Sequence, residues 1–274
     1  MKGRRFWGKL AICVLFCLLL SGCRKEEPVS TYAHLKEENV VTLADGTEID
    51  CWENDFWQFY CLKDGTEILH LKPPSGPQGH YAAGVESFDD LSPNAQEAVA
   101  DYYAKQGTLY DLPSELEAAY DEYLKKQTAK ERYHARIVEQ ETAPTAAADD
   151  VIYFRTILTL PVGDQIVEQY SFCAAFDRQS GEKQDVWSLF TVPKEEVLDL
   201  FFTKNGITGE ERQEMEEALR EEWISFTTDS MGLDFPKGAL SGEDHSLSIF
   251  LQYDQGLSTL FRPGALPRDK AEES

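Results

Sequence analysis

The sequence of 274 residues has little histidine and lacks the common motifs of catalysis. Its histidines are His34, His70, His80, His134 and His245. No two of them have the spacing at which side chains share a zinc ion. It has neither a glycine-rich phosphate loop nor a Gly-x-Ser-x-Gly nucleophile turn. We therefore expect no metal, no cofactor and no catalytic residue that a motif identifies.

Two short matches to catalytic motifs lack the context that their chemistry needs. The segment Ser87–Asp90 (SFDD) is similar to the metal-binding segment of polysaccharide deacetylases, but no pair of histidines one helical turn apart accompanies it. Ser180 and Lys183 have the Ser-x-x-Lys spacing of penicillin-recognising enzymes, but they lie in a predicted turn instead of at a helix start. A site for cell-wall hydrolysis formed by two carboxylates is an alternative that the sequence leaves open, because 49 acidic residues offer many pairs.

Basic residues are scarce relative to acidic ones. The chain has 26 Lys and Arg against 49 Asp and Glu, a net charge of −23. Because residues 1–22 contain four of the basic residues and none of the acidic ones, residues 23–274 carry 22 against 49, a net charge of −27. Such a surface repels nucleic acid and anionic lipid, which excludes a nucleic-acid partner. It attracts cationic proteins, although solubility alone also explains it.

The amino terminus has the pattern of a targeting segment. Four basic residues precede an eleven-residue apolar run, Leu10–Leu20, which at about 1.5 Å per residue is too short to cross a hydrocarbon core of about 30 Å. The run ends in Leu20-Ser21-Gly22-Cys23, which resembles the lipobox of bacterial lipoproteins. That resemblance implies that residues 1–22 are a signal peptide and that Cys23 carries a diacylglyceryl group, with acyl chains such as palmitate, on the outer face of a bacterial membrane.

Two cysteines beyond the predicted anchor lie ten residues apart. Cys51 and Cys61 flank an aromatic stretch, and a disulfide between them is a candidate in an oxidising compartment. The alternative is that both thiols are small buried apolar groups. The aromatic side chains between them indicate either core packing, which we favour, or a platform for an aromatic ligand.

The pattern of the whole chain predicts an α+β fold, an antiparallel sheet with helices packed on one face and β-hairpins before it. Two near-identical segments, Leu43–Ile49 (LADGTEI) and Leu62–Ile68 (LKDGTEI), predict two successive hairpins through their Asp-Gly pairs. We expect a tether over residues 23–36, hairpins and two helices over 37–130, an α+β domain over 131–267 and a polar tail over 268–274.

The segment after residue 208 predicts a strongly acidic helix. Thr208 and Glu211 have the spacing of a capping box, and the residues that follow at helical spacing are Met215, Leu219, Trp223 and Phe226. With this stripe buried, the carboxylates that face solvent form a candidate surface for a cationic partner, and they include Glu214, Glu217 and Glu221.

The segment from Tyr133 to Pro267 resembles a domain of unknown function. The resemblance rests on a strand ending in Phe176-Asp177, a Ser180-Gly181 turn, a following Ser188-Leu189-Phe190 segment and a final strand near residues 246–254. The domain occurs at the outer end of a lysozyme-sensing anti-sigma factor and beside some peptidoglycan deacetylase domains, and it brings no catalytic residues. We therefore expect a non-catalytic binding or sensing module for a cell-wall component or a cationic protein. The alternative is a cell-wall hydrolase or deacetylase with an acid-based site.

We predict that Cys23 attaches the protein to a membrane. The variant Cys23→Ser has no thiol to receive the lipid, so it should leave the membrane fraction or keep its signal segment. Membrane fractionation and intact-mass measurement check this. A variant that is cleaved and still fractionates with membranes would contradict lipidation.

Overall fold

The computed structural model describes residues 33–74, 76–78, 85–162 and 166–268, so the predicted signal segment and Cys23 lie outside the described residues. The amino-terminal part consists of short strands joined by tight turns. In chain order these strands are β1 (His34–Leu35), β2 (Val41–Thr42), β3 (Glu48–Glu53), β4 (Gln58–Cys61) and β5 (Glu67–Lys72).

Both Asp-Gly segments form the predicted turns between strands, but with a different turn type. In the first turn the Gly46 amide donates to the carbonyl of Leu43, and the Leu43 amide donates to Thr47, which leaves a three-residue loop. Gly46 has a φ of +90°. Only the glycine has a positive φ, whereas a two-residue type I′ turn needs it at both central positions. The turn is therefore a three-residue loop closed by the glycine.

The middle of the chain contains two helices and the longest strands. Ser92 caps the first helix, since its Oγ accepts a hydrogen bond from the Ala95 amide at 3.2 Å. Asp111 caps the second helix, since its side chain accepts a hydrogen bond from the Ser114 amide at 3.1 Å. The elements are α1 (Pro93–Gln106), α2 (Leu112–Ala129), β6 (Arg136–Ala147), β7 (Val151–Val162), β8 (Ile166–Asp177) and β9 (Lys183–Gln184).

The second half of β6 spans residues 142–147, a stretch of small residues. Its alanines suit close packing, because Ala143 and Ala146 are buried. The register of β6 against β7 shifts between Pro144 and Ala146, and such an irregularity accommodates a proline that cannot donate to the ladder.

The carboxy-terminal part forms a separate small sheet beside two further helices. Its three strands are antiparallel, in the order β10-β11-β12. The strand predicted at residues 246–254 is confirmed as β12. The elements are α3 (Lys194–Asn205), α4 (Gly209–Ala218), β10 (Ile224–Phe226), β11 (Ser230–Phe235) and β12 (Leu247–Gln252).

The large sheet has nine strands and is mixed, not antiparallel throughout as predicted. Its order is β1-β3-β4-β5-β6-β7-β8-β9, with β2 paired to β3. The exception is β5, which pairs with β6 in parallel from Leu69 with Arg136 to Lys72 with Glu139. A parallel pair needs a crossover connection, and α1 and α2 provide it. The sheet therefore runs continuously across the boundary expected near residue 130.

Helices lie on both faces of the large sheet, which corrects the prediction of one face. On β7, Ile152 and Phe154 pack with α1, whereas Val151 and Tyr153 point to the opposite face and join the core formed with α3 and the small sheet. A third cluster places α2 against β3, β4, β5 and β6. The end of the β7–β8 pair that contains Val151–Phe154 and Ala174–Phe176 is thus buried on both of its faces.

We predict that Gly181 is needed for the contact between α1 and the turn after β8. A Cβ at Gly181 would lie 2.6 Å from the backbone oxygen of Ala95, and the residue has a φ of +72°. Gly181→Ala should lower the free energy of unfolding by about 2–4 kcal/mol through strain and overlap. Gly206→Ala is the control, because Gly206 has a φ of +70° but no atom near its Cβ position, and it should cost only about 1 kcal/mol. Equal losses in denaturant titrations of the two variants would show that the contact with α1 contributes nothing.

Candidate functional site

The acidic helix predicted after residue 208 is shorter than its sequence pattern indicated. α4 ends at Ala218, and Thr208 makes no side-chain capping hydrogen bond. Trp223 lies instead in a 3-10 turn and Phe226 in β10. Met215, Trp223 and Phe226 are buried as predicted, because the chain folds back into the same core after the helix ends. The apolar spacing therefore predicts the buried residues correctly, but the expectation of one continuous helix is wrong.

The three carboxylates of the predicted cationic-partner face lie in different settings. Glu214 is half-buried and accepts a hydrogen bond from the Ser241 amide at 2.5 Å, which lowers the pKa of its carboxyl group. Glu217 is exposed and accepts from the side-chain amide of Gln213 at 2.8 Å. Glu221 is exposed at the start of the 3-10 turn. Glu214 thus anchors a loop, and Glu217 and Glu221 remain on the outer surface.

An open groove beside α4 collects further acidic residues that the sequence analysis did not single out. Its volume is about 740 Å³, and it lies between α3, Arg212 of α4 and the segment around Thr259. We call it the acidic groove; it is lined by Glu195, Glu196, Asp199, Leu200, Thr203, Arg212, Gly256, Thr259 and Leu260. The sequence of Pro193–Leu200 (PKEEVLDL) could have indicated this group of carboxylates, because its acidic residues fall in the first two turns of a helix.

Charge in the acidic groove is only partly compensated. Arg212 donates to Asp199 at 2.9 Å and to Glu216 at 2.7 Å. The hydrogen bond with Asp199 is the larger cause, and that with Glu216 the next, of a raised pKa for Arg212, so its side chain stays charged. Glu195 and Glu196 are both exposed in the first turn of α3, where the positive end of the helix dipole stabilises negative charge. The groove therefore presents two outward carboxylates above an apolar base of Leu200 and Leu260.

The strand register places Cys51 and Cys61, the cysteines of the candidate disulfide, apart from each other. Both thiols are free and buried. Cys51 faces Tyr60 across the β3–β4 ladder, whereas Cys61 faces Asp50. Because neighbouring residues on a strand point to opposite faces, the two sulfur atoms lie on different sides of the sheet. The alternative interpretation, two small buried groups, agrees with this geometry.

The aromatic stretch between these cysteines contributes to both faces of the sheet. Tyr60 is buried in the core under α2, as the favoured interpretation expected. Trp52 and Phe59 are cross-strand partners and only half-buried, and Phe59 makes an edge contact with His70 at a centroid distance of 5.0 Å. Phe56, in the turn between β3 and β4, has 72% of its surface exposed.

The weak catalytic motifs have local structural partners. Asp90 accepts a hydrogen bond from the Ser87 amide at 2.9 Å and so closes a 3-10 turn before α1. Ser180 donates through Oγ to Asp177 at 2.9 Å, within the turn after β8. Among the described residues no group of three or more His, Cys, Asp or Glu side chains could hold a metal ion. In the same part of the chain, no helix has the length and apolar character to span a membrane.

Comparisons with known proteins find structural neighbours, but no matching family model or curated protein. No family model matches the chain, and no curated protein matches it. A DUF3298 family member from Bacteroides fragilis has 10% sequence identity, a TM-score of 0.44, and an alignment over 85% of this chain and 92% of its own. A DUF3298 family protein from Pseudomonas aeruginosa has 12% identity, a TM-score of 0.30, and coverage of 55% and 71% respectively. The family name of both neighbours denotes a domain of unknown function.

We predict that Cys51, Cys61 and Cys173 are thiols that react slowly in the folded protein. Burial raises the pKa of all three, and that of Cys61 to about 12, so each stays protonated at pH 8. In a fragment of residues 24–274, which contains only these three of the six cysteines, alkylation at pH 8 should be slow in buffer and complete in denaturant, with three added labels by mass spectrometry without reductant. A mass that shows two labels fewer would establish a disulfide and contradict the register argument.

Proposed function

We propose that this protein is a lipid-anchored, extracytoplasmic binding module that holds a cationic segment of another protein in the acidic groove. The anchor and the outer-face location rest on Leu20-Ser21-Gly22-Cys23. The binding role rests chiefly on one observation, which is that two exposed carboxylates, Glu195 and Glu196, stand beside an open groove with an apolar base. The module is non-catalytic in this proposal.

The chemistry of the acidic groove suits lysine and arginine side chains. Each has a long apolar stem and a charged end, so the stem can cover Leu200 or Leu260 while the end meets a carboxylate. Carboxylates outside the groove also speed the approach of a cationic protein, because the net charge of −23 attracts it over a distance. Glu217 on α4 and Glu221 in the turn after it are both exposed and extend the negative field beside the groove.

The exposure of the groove carboxylates favours binding over acid catalysis. A general acid that works near neutral pH needs a carboxyl group whose proton is retained, and burial away from water is the usual cause. Glu195, Glu196 and Asp199 are all exposed. This supports a binding module over a cell-wall hydrolase or deacetylase with its site in this groove.

Binding of a lysozyme, used as a compact cationic probe, tests the proposal on the full-length protein in detergent micelles. Glu195→Gln with Glu196→Gln should weaken binding about 2- to 30-fold, taking about 0.2–1 kcal/mol for each exposed charge pair. The control is Glu97→Gln with Asp121→Asn, which removes the same charge from exposed positions on α1 and α2. Affinity should also fall steeply as salt rises, because exposed charges are screened beyond about 10 Å at 0.1 M.

The outcomes separate the groove from general charge. Equal weakening by the groove variant and the control would show that net charge alone attracts the probe. Absence of binding at low ionic strength, or binding that salt does not change, would leave the acidic surface a contribution to solubility and overturn the proposal.

A further inference from the structure

A second pocket, separate from the acidic groove, lies in the amino-terminal part of the protein. Its volume is about 500 Å³, which is within the usual range of small-molecule sites. Its walls come from the segment that leads through a 3-10 turn into β2, from β4 and β5, and from the loop that joins α1 to α2. We call it the tyrosine pocket; its lining includes Glu38, Val41, Gln58, Tyr60, Tyr110 and Leu112.

The floor of the tyrosine pocket is built from residues of the large sheet. Tyr60 on β4 and Leu71 on β5 are 1% and 3% exposed, and both pack in the core under α2. Gln58 lies two residues before Tyr60 and points to the same face, and its Oε1 accepts a hydrogen bond from the Tyr60 hydroxyl at 3.2 Å. Strand pairing thus holds the floor in one shape, so a ligand does not have to order it.

Tyr110, in the loop between α1 and α2, contributes a hydroxyl group that the protein leaves without a partner. Its side chain is half-buried and packs against the cluster under α2. The hydroxyl makes no hydrogen bond within the described part of the chain. Burial raises the pKa of Tyr110, so the group keeps its proton at neutral pH. A ligand that accepts this proton in a hydrogen bond would satisfy it.

The charges around the tyrosine pocket are already balanced. None of the described residues that line it is a lysine, an arginine or a histidine. Both of its carboxylates have partners, because Glu38 lies 3.7 Å from Lys36 and Asp111 accepts from the Ser114 amide at 3.1 Å as the cap of α2. An anionic ligand would therefore meet no cation, and a cationic ligand would meet no carboxylate without a partner.

The lining combines apolar surface with hydrogen-bonding groups. Val41 and Leu112 offer carbon surface, whereas Asn39 and Thr108 offer an amide and a hydroxyl in addition to the hydroxyl of Tyr110. A purely apolar ligand would displace water from these polar groups without replacing its hydrogen bonds. An uncharged molecule that carries several hydroxyl groups on a compact carbon ring matches both kinds of surface.

We propose that the tyrosine pocket binds a neutral saccharide. The sugar hydroxyls accept a hydrogen bond from Tyr110 and exchange hydrogen bonds with Asn39 and Thr108, while the carbon face of the ring covers Val41 and Leu112. The acidic groove and its cationic partner take no part in this binding, so the two sites can be tested separately.

Calorimetric titration of the full-length protein, in a detergent without a sugar headgroup, tests this inference. The probes are glucose, N-acetylglucosamine and a tetrasaccharide of N-acetylglucosamine. Glucuronate, which adds a carboxylate to the sugar ring, and cyclohexanol, which keeps a ring but only one hydroxyl, are the comparison compounds. At least one sugar should bind in the millimolar range, and both comparison compounds should bind at least tenfold more weakly.

The length of the sugar chain identifies the source of the saccharide. A tetrasaccharide that binds at least fivefold more tightly than the single sugar would assign the pocket to a glycan chain. Equal affinities would assign it to a free sugar. Either result supports a saccharide site.

Two variants and one control locate the binding. Tyr110→Phe removes only the hydroxyl without a partner, so it should leave the unfolding temperature unchanged and weaken sugar binding about 2- to 12-fold, the range for one hydrogen bond. Tyr102→Phe is the control, because Tyr102 is half-buried on α1 and lies outside the pocket, and it should leave the affinity unchanged. Thr108→Trp places a bulky side chain at an exposed part of the wall and should weaken binding at least tenfold.

Three results would overturn the inference. The first is that none of the sugars binds at concentrations up to tens of millimolar. The second is that glucuronate or cyclohexanol binds as tightly as the sugars. The third is that the folded Thr108→Trp variant keeps its affinity, or that Tyr110→Phe and Tyr102→Phe change the affinity equally, because binding would then lie elsewhere.

Discussion

The pairing of β7 with β8 is the interaction on which the architecture depends. The two strands run in register from Val151 with Asp177 to Val162 with Ile166. Their residues enter two separate hydrophobic clusters, one with α1 and one with α3 and the small sheet. A strand buried on both faces is held by side-chain packing as well as by its ladder, and it can position whatever packs on either side. The same pair also positions Arg155, which donates to Ser171 at 2.9 Å and forms an ion pair with Asp234 of the small sheet at 3.8 Å.

Local chemistry predicted the parts of the fold that depend on neighbouring residues. The Asp-Gly segments become turns, Ser92 with Pro93 begins a helix, and residues 246–254 contain a strand. Each of these elements follows from the dihedral and hydrogen-bonding preferences of a few adjacent residues. Burial was also predictable after Met215, since apolar residues at regular spacing reach a core. The end of α4 was not, because the same spacing continues through a 3-10 turn and a strand that tertiary packing selects.

The candidate sites required long-range information. Whether Cys51 and Cys61 face one another depends on the strand register, which spacing along the chain does not reveal. The acidic groove brings Glu196 together with Thr259, and the packing of the two sheets brings Arg155 into an ion pair with Asp234. Such meetings depend on how the two sheets pack. The parallel pairing of β5 with β6 was likewise hidden, because two helices separate the strands in sequence.

The edges of the large sheet have a consequence for how the protein behaves at high local concentration. The sheet ends in β1 at one side and β9 at the other, and each has only two residues. Short edge strands offer few free amide and carbonyl groups to a second chain, so edge-to-edge aggregation has little backbone to use. At β1, Glu53 of the neighbouring strand pairs with Lys36 at 2.9 Å and with His34 at 3.3 Å, which adds hydrated charge there. Copies crowded side by side should therefore stay independent instead of joining their sheets into a continuous fibre.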